Sequence, residues 1–221
     1  MTEWLYNLPW WGYGLFLLAG YPFGALQSAY FVGKILGKID IRDHGSGNAG
    51  TTNVYRVMGF KAGIIVLIFD ILKTVIPVII LNAILYQGRI WDISAMEYFP
   101  GLLLGFGVVL GHNFPFFLKF KGGKGVACAI GLMIMFDPIV LAIILTMALA
   151  IVLTTRLISL ASIIGFVAFG AVNSFFYWEY MPIVVFAWTF AALGLIQHRK
   201  NIKWLITGEE KKFDFKTKGR L

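Results

Sequence analysis

KAGIIVLIFDILKTVIPVIILNAILY, residues 61–86, carries charge only at Lys61, where it begins, and at Asp70 and Lys73 within it. About 20 apolar residues in a helix are enough to cross a hydrocarbon core about 30 Å thick. This run exceeds that length, so it reads as a membrane-crossing helix with Pro77 as a kink. Similar runs flank it. Helix one extends from about Trp10 to Leu36, broken in composition by Gly20, Pro22 and Gly24. A short helix three covers about Tyr98 to Gly111, and the apolar run of helix four, Val126 to Phe136, is so short that it either borrows residues 114–118 to cross or re-enters the membrane. Helix five starts at the Asp137-Pro138 turn and ends near Leu153, helix six begins around Ser159, and helix seven covers about Pro182 to Ile196. The chain is 59% hydrophobic with a mean hydropathy of +0.79, which is too apolar for a soluble domain. The expectation is an all-α, polytopic membrane protein with seven transmembrane helices, forming a single domain over residues 1–221.

The charges set the orientation. A net charge of +8 would suit nucleic acid, but the basic residues gather in alternate loops, as membrane topology requires. No Lys or Arg precedes helix one, whereas Lys34, Lys38 and Arg42 follow it. The N-terminus is therefore expected outside and the C-terminus in the cytoplasm, with no nucleic-acid partner. The acidic Glu3, Asp92, Glu97, Asp137 and Glu179 fall at the opposite face, with Arg89 placed against Asp92 and Glu97. Trp4, Tyr6, Trp10 and Trp11 at one end, and Tyr30 at the other, fit interfacial aromatic belts. The first apolar run follows Glu3 and no basic segment, so it reads as a retained helix. The lone Cys128 reads as a small core residue.

Two charges inside helix two, Asp70 and Lys73, stand three residues apart on one face. Such groups are costly in hydrocarbon and call for a partner or a function. The inward loops hold the remaining chemistry. GSGNAGTTNVYR, residues 45–56, combines glycines that turn backbone N–H groups inward with Ser46, Asn48, Thr52, Asn53 and Arg56. Hydroxyls and amides donate, and a guanidinium fork fits phosphate oxygens. No Lys-Ser/Thr pair follows the glycines, so this is not a Walker loop. GHNFPFFLKFKGGKG, residues 111–125, places Lys124 between glycines, while Lys119 suits an anchor to lipid headgroups. His112 in this stretch reads as a cap on helix three. His198 and Asn201, three apart on one helical face, add an imidazole and an amide, and Ser159 and Ser162 reach either a neighbouring helix or a ligand. This set of donors suits a phosphate at the lipid border.

These two stretches, with the HRKNI of residues 198–202, resemble the three cytoplasmic motifs of bacterial acyl-phosphate:glycerol-3-phosphate acyltransferases of the PlsY type. The resemblance covers essentially the whole chain. Departures fall at Ala49, Thr51, Thr74, Cys128, Lys200 and Trp204, outside the chemical set. The resemblance implies transfer of a fatty acyl group from acyl phosphate to the sn-1 hydroxyl of glycerol 3-phosphate, with no cofactor or metal. It implies an enzyme of phospholipid synthesis in the bacterial cell membrane, with its active site on the cytoplasmic side. Its partners would be membrane lipid, the two substrates and the soluble enzyme that makes acyl phosphate. The implied catalytic residues are Ser46, Arg56, Lys124, His198 and Asn201. The implied phosphate-binding residues are Gly45, Gly47, Asn48, Thr52, Asn53, Gly122, Gly123 and Gly125. A transporter or flippase of a phosphorylated solute or lysolipid is the competing reading, since it too would place paired charges in a span.

Overall fold

The computed structural model describes residues 8–87, 89 and 94–215, and every regular element among them is helical. Expectations resting on Glu3, Trp4, Tyr6 and Asp92 lie outside the described residues. The chain packs as two compact units, one ending at Phe136 and the next starting at Asp137.

The first unit holds α1 (Trp10–Ala25), α2 (Ser28–Leu36), α3 (Thr51–Met58), α4 (Phe60–Tyr86), α5 (Phe99–Asn113) and α6 (Val126–Phe136). Tight 3-10 turns at Ile41–Asp43, Ala95–Tyr98 and Phe116–Leu118 connect them. Glycines decide how α1 meets α5. A Cβ on Gly20 would run into the carbonyl of Leu104, and one on Gly24 into that of Val108. In return, a Cβ on Gly107 would strike the carbonyl of Leu17, and one on Gly111 that of Tyr21. Two Gly-xxx-Gly faces therefore press backbone to backbone, the close approach that lipid-embedded helices use because hydrocarbon gives little hydrophobic drive between them. One helix was expected from about Trp10 to Leu36, with Gly20, Pro22 and Gly24 breaking only its composition. Instead α1 is continuous through Gly20, Pro22 and Gly24, and the chain breaks at Leu26 and Gln27, where ψ opens to 97° and 91°. α4 likewise runs without a break through Pro77.

The second unit holds α7 (Pro138–Thr155), α8 (Ile158–Phe176), α9 (Met181–Gln197) and α10 (Arg199–Thr207). Asp137 caps α7, with Oδ1 accepting from the N–H groups of Ile139 and Val140 at 2.8 and 3.1 Å and Pro138 at the first helical position. Tyr177 donates its hydroxyl to the other oxygen of Asp137 at 2.7 Å, tying the end of α8 to the start of α7. Phe166, Phe169, Phe186 and Phe190 pack ring against ring between α8 and α9.

By length and composition, five segments among the described residues are long and apolar enough to cross a membrane: Trp11–Leu36, Phe60–Tyr86, Ala95–Leu118, Pro138–Thr155 and Ile158–Phe176. α9 and α10 pass the same test only as a pair bent by 61°. α6, with 11 residues, is about 16 Å long and falls short of the hydrocarbon core. Large apolar side chains such as Leu18, Phe69 and Ile84 lie exposed along these spans, as expected where the solvent is lipid.

The α1–α5 contact gives a direct test. Gly24→Val forces a branched side chain into the backbone of Val108 and should cost ~1–3 kcal/mol or abolish folding. Gly14→Ala, with nothing within 4 Å of the added methyl, should leave the melting temperature in detergent unchanged or raised.

Candidate functional site

The Gly45–Arg56 loop is built around one carboxamide. Asn53 is 1% exposed, and its Oδ1 accepts from the N–H of Ser46 at 2.8 Å. Its Nδ2 donates to the carbonyls of Ile41 and His44 at 3.1 and 2.9 Å. Both of its N–H groups are thus engaged inside the loop. Gly45 sits at φ +64° with Asn53 Oδ1 where a Cβ would be, and Gly47 sits at φ +73° with its N–H donated to His44. These are left-handed positions that glycine adopts without strain. Gly45, Ser46 and Gly47 are exposed, whereas Asn48, Thr51, Thr52 and Arg56 are half-buried. Gly50 begins α3 with no side chain capping it, so the first turn of the helix presents its N–H groups and the positive end of its dipole. The glycine loop therefore ends in a helix N-terminus, and Arg56 stands in the last turn of that same short helix.

Asp40 and Arg42 clamp the loop from the other side. Arg42 donates to both carboxylate oxygens of Asp40, at 3.0 and 2.7 Å, and also to the carbonyl of Leu118 at 3.1 Å. The Arg42 guanidinium holds the Asp40 carboxyl below its ordinary range, so this clamp is complete at neutral pH and fails only in acid.

The second glycine stretch lies on the first. A Cβ on Gly123 would come within 2.7 Å of the carbonyl of Ala49 and would collide with the ring of His112. Gly122 and Gly123 donate their N–H groups to the carbonyls of Asn113 and His112, at 3.2 and 3.0 Å. Gly125, at φ +80°, turns the chain into α6, and Lys124, half-buried, stands between these pinned residues. The structure thus brings Gly45–Arg56 and Gly122–Gly125 together within the first unit.

His198 and Asn201 lie together in the second unit. His198 ends α9 and is 2% exposed, with Nδ1 2.8 Å from the carbonyl of Gly194. That nitrogen faces an acceptor and so carries the hydrogen, which makes Nε2 the acceptor of the neutral ring. Asn201, in the first turn of α10, donates Nδ2 to both carboxylate oxygens of Glu210 at 2.9 and 3.1 Å. Gly208, at φ +74°, reverses the chain so that Glu210 can return to this point. Glu210 lies in a short, mainly basic tail, and in the sequence only the glycine at 208 signals this contact. Ser162 donates to Ile158 within its own helix, and Ser159 is buried beside it.

His112 does not cap α5, whose C-cap is Phe114. Its ring is 3% exposed, and Nδ1 lies 2.9 Å from Lys73 Nζ. The same ammonium lies 2.9 Å from Asp70 Oδ1. Asp70, His112 and Cys128 bring ligand atoms within 4.8 Å of one another, a spacing a metal ion tolerates. The Lys73 ammonium, in contact with two of the three, supplies the cation at that point.

Comparison with known proteins places these features. The glycerol-3-phosphate acyltransferase family profile matches residues 14–208. A glycerol-3-phosphate acyltransferase of Thermoanaerobacter pseudethanolicus is 40% identical over 200 residues, covering 90% of this chain and 95% of the relative. One from Macrococcus caseolyticus is 38% identical over 202 residues, covering 91% and 97%. The crystal structure of PlsY (YgiH), an integral membrane glycerol 3-phosphate acyltransferase in its glycerol 3-phosphate form, superposes with a TM-score of 0.77 at 35% identity, covering 91% of this chain and 96% of that one. The lysophosphatidic acid form of the same protein gives 0.74. The chain belongs to the glycerol-3-phosphate acyltransferase family, of the integral-membrane PlsY type.

Proposed function

We propose that this protein transfers a fatty acyl group from acyl phosphate to the sn-1 hydroxyl of glycerol 3-phosphate, releasing lysophosphatidic acid and inorganic phosphate. The observation that carries the reading is the joining of the glycine loop with Arg56, the uncapped N-terminus of α3 and the Gly122–Gly125 segment with Lys124 into one polar surface. That surface suits a phosphate dianion. The solved relative at 35% identity was crystallised in glycerol 3-phosphate and lysophosphatidic acid forms, a substrate and product that fit this reaction.

The chemistry needs little from the protein beyond binding and orientation. Acyl phosphate is an activated mixed anhydride, so the hydroxyl oxygen attacks the acyl carbon directly. A carbon–oxygen ester bond forms, the bond from that carbon to the phosphate oxygen breaks, and phosphate leaves. A His-x4-Asp pair would supply a dedicated base, but the residues five beyond each histidine are Ala49, Phe117 and Lys203. In this reading Arg56 and Lys124 hold substrate phosphate, and Ser46 with the loop N–H groups stabilises charge on the reacting oxygens. Thr52, Asn48 and the glycines shape the pocket. Asn53 acts by holding the loop closed, which refines the direct ligand role expected of it. His198 takes the hydroxyl proton on Nε2, or orders the attacking oxygen while the proton passes to the substrate phosphate, and Glu210 fixes Asn201 next to it. In this reading residues 1–221 form a single acyltransferase domain. The charge pattern supports an N-terminus outside and a site facing the cytoplasm, with seven crossings only if the short α6 is counted as one.

Purified protein in detergent, offered acyl phosphate, acyl-CoA and acyl carrier protein in parallel with glycerol 3-phosphate, should release phosphate and lysophosphatidic acid from acyl phosphate alone. Turnover from acyl-CoA but not acyl phosphate would overturn the donor assignment. No turnover from any donor would favour a carrier. Arg56→Ala and Lys124→Ala should each lower kcat/KM by about 10²-fold or more. His198→Ala should lower kcat by about 10²-fold and flatten its pH profile. Asn53→Ala should lower activity and melting temperature together, because the loop loses a buried brace whose carbonyl partners are left unpaired at about 1–3 kcal/mol.

A further inference from the structure

One cluster is not used by the reaction just described. Where the chain breaks between α1 and α2, the carbonyls of Gly24 and Leu26 lose their helical donors, and Lys73 of α4 supplies them, at 3.1 and 3.0 Å. The same ammonium meets Asp70 Oδ1 and His112 Nδ1, each at 2.9 Å. Asp70 in turn accepts the Ser28 hydroxyl at 2.7 Å. Three ammonium protons thus serve four acceptors drawn from the α1–α2 break, α4 and α5. The side chains of Asp70 and Lys73 are 2% and 9% exposed.

The cluster ends at His112, and His112 touches the second glycine stretch twice. Its carbonyl accepts the Gly123 N–H at 3.0 Å and the Gln27 side-chain amide at 2.8 Å, filling both lone pairs. Because Nδ1 accepts from Lys73, the neutral ring carries its hydrogen on Nε2, and that edge fills the space where a side chain on Gly123 would stand. The residue after Gly123 is Lys124. A buried pair needing only neutrality would require neither the histidine nor this contact.

We propose that Lys73 and His112 are positioning residues for phosphate binding: the buried Asp70–Lys73–His112 chain, through the acceptor that His112 offers Lys73, fixes residue 112, whose carbonyl holds the Gly123 N–H, and so sets where Lys124 meets glycerol 3-phosphate. This rests on the acyl-transfer reading above. Neither residue touches substrate. A phosphate contact held equally in ground and transition states moves KM and leaves kcat alone.

The test compares His112→Leu, which removes the acceptor for Lys73, with His112→Asn, whose Oδ1 takes the place of Nδ1. KM and kcat are measured with acyl phosphate and glycerol 3-phosphate, and Kd for glycerol 3-phosphate by titration calorimetry in detergent. His112→Leu should raise KM and Kd about tenfold, the equivalent of about 1.4 kcal/mol, with kcat within about threefold. His112→Asn should stay within about threefold of the unaltered protein in all three. If His112→Leu does not fold, the Asp70→Asn/Lys73→Met double variant, which removes both charges together, should show the same rise. Unchanged KM and Kd in the folded variant overturn the proposal, as does a loss confined to kcat or to melting temperature, or an equal loss in His112→Asn. An unaltered protein inert towards acyl phosphate would sink the acyl-transfer reading instead, and the calorimetric comparison would still decide the positioning role.

Discussion

A single ammonium group joins the parts of the first unit that matter most. Lys73 sits where burial makes an unpaired cation costly, and it is matched by a carboxylate, two main-chain carbonyls and an imidazole. These partners come from three places: the α1–α2 break, α4 itself and the end of α5. The bend between α1 and α2 is tolerable in hydrocarbon because Lys73 reaches the carbonyls that the bend exposes. The end of α5 is held at the same point, and the glycine stretch that follows is hung from it.

The tight seam between α1 and α5 makes this arrangement possible. With Gly20 and Gly24 against the backbone of α5, and Gly107 and Gly111 against that of α1, the two helices come close enough for Gln27 to reach the His112 carbonyl at 2.8 Å. A pair of ordinary side chains in that seam would push the helices apart and open the cluster. Packing in lipid and the geometry of the polar face are therefore one constraint, expressed at two depths.

Much of this was legible in the sequence. Helical class, the apolar runs and the Asp70–Lys73 pair follow from hydropathy and from three-residue spacing on a helix. The limits of α6 were also readable, because Gly125 precedes it and Asp137-Pro138 follows. Where reading failed, the cause was a contact distant in sequence. The break at Leu26 and Gln27 leaves no mark in composition, and only the approach of α5 gives Gly20 and Gly24 a packing role. Asn53 looks like a ligand donor, yet its amide closes the loop onto Ile41 and His44. His112 looks like a cap until Lys73 is seen beside it, and Glu210 looks incidental until Gly208 folds it back to Asn201. Local pattern gives identity and periodicity; it does not say which of several polar neighbours a side chain will choose.

The Lys73 contacts also constrain the order in which the chain can be assembled. Gly24 and Leu26 take their donor from a residue 49 and 47 positions further along. As the ribosome extends the chain, the first crossing enters the bilayer with its bent segment still incomplete, and it must wait for α4 to arrive before those carbonyls are satisfied. Nascent α1 and α2 are thus held to a provisional state, shielded by water, lipid headgroups or the insertion machinery, and the finished bend is a product of the later helix.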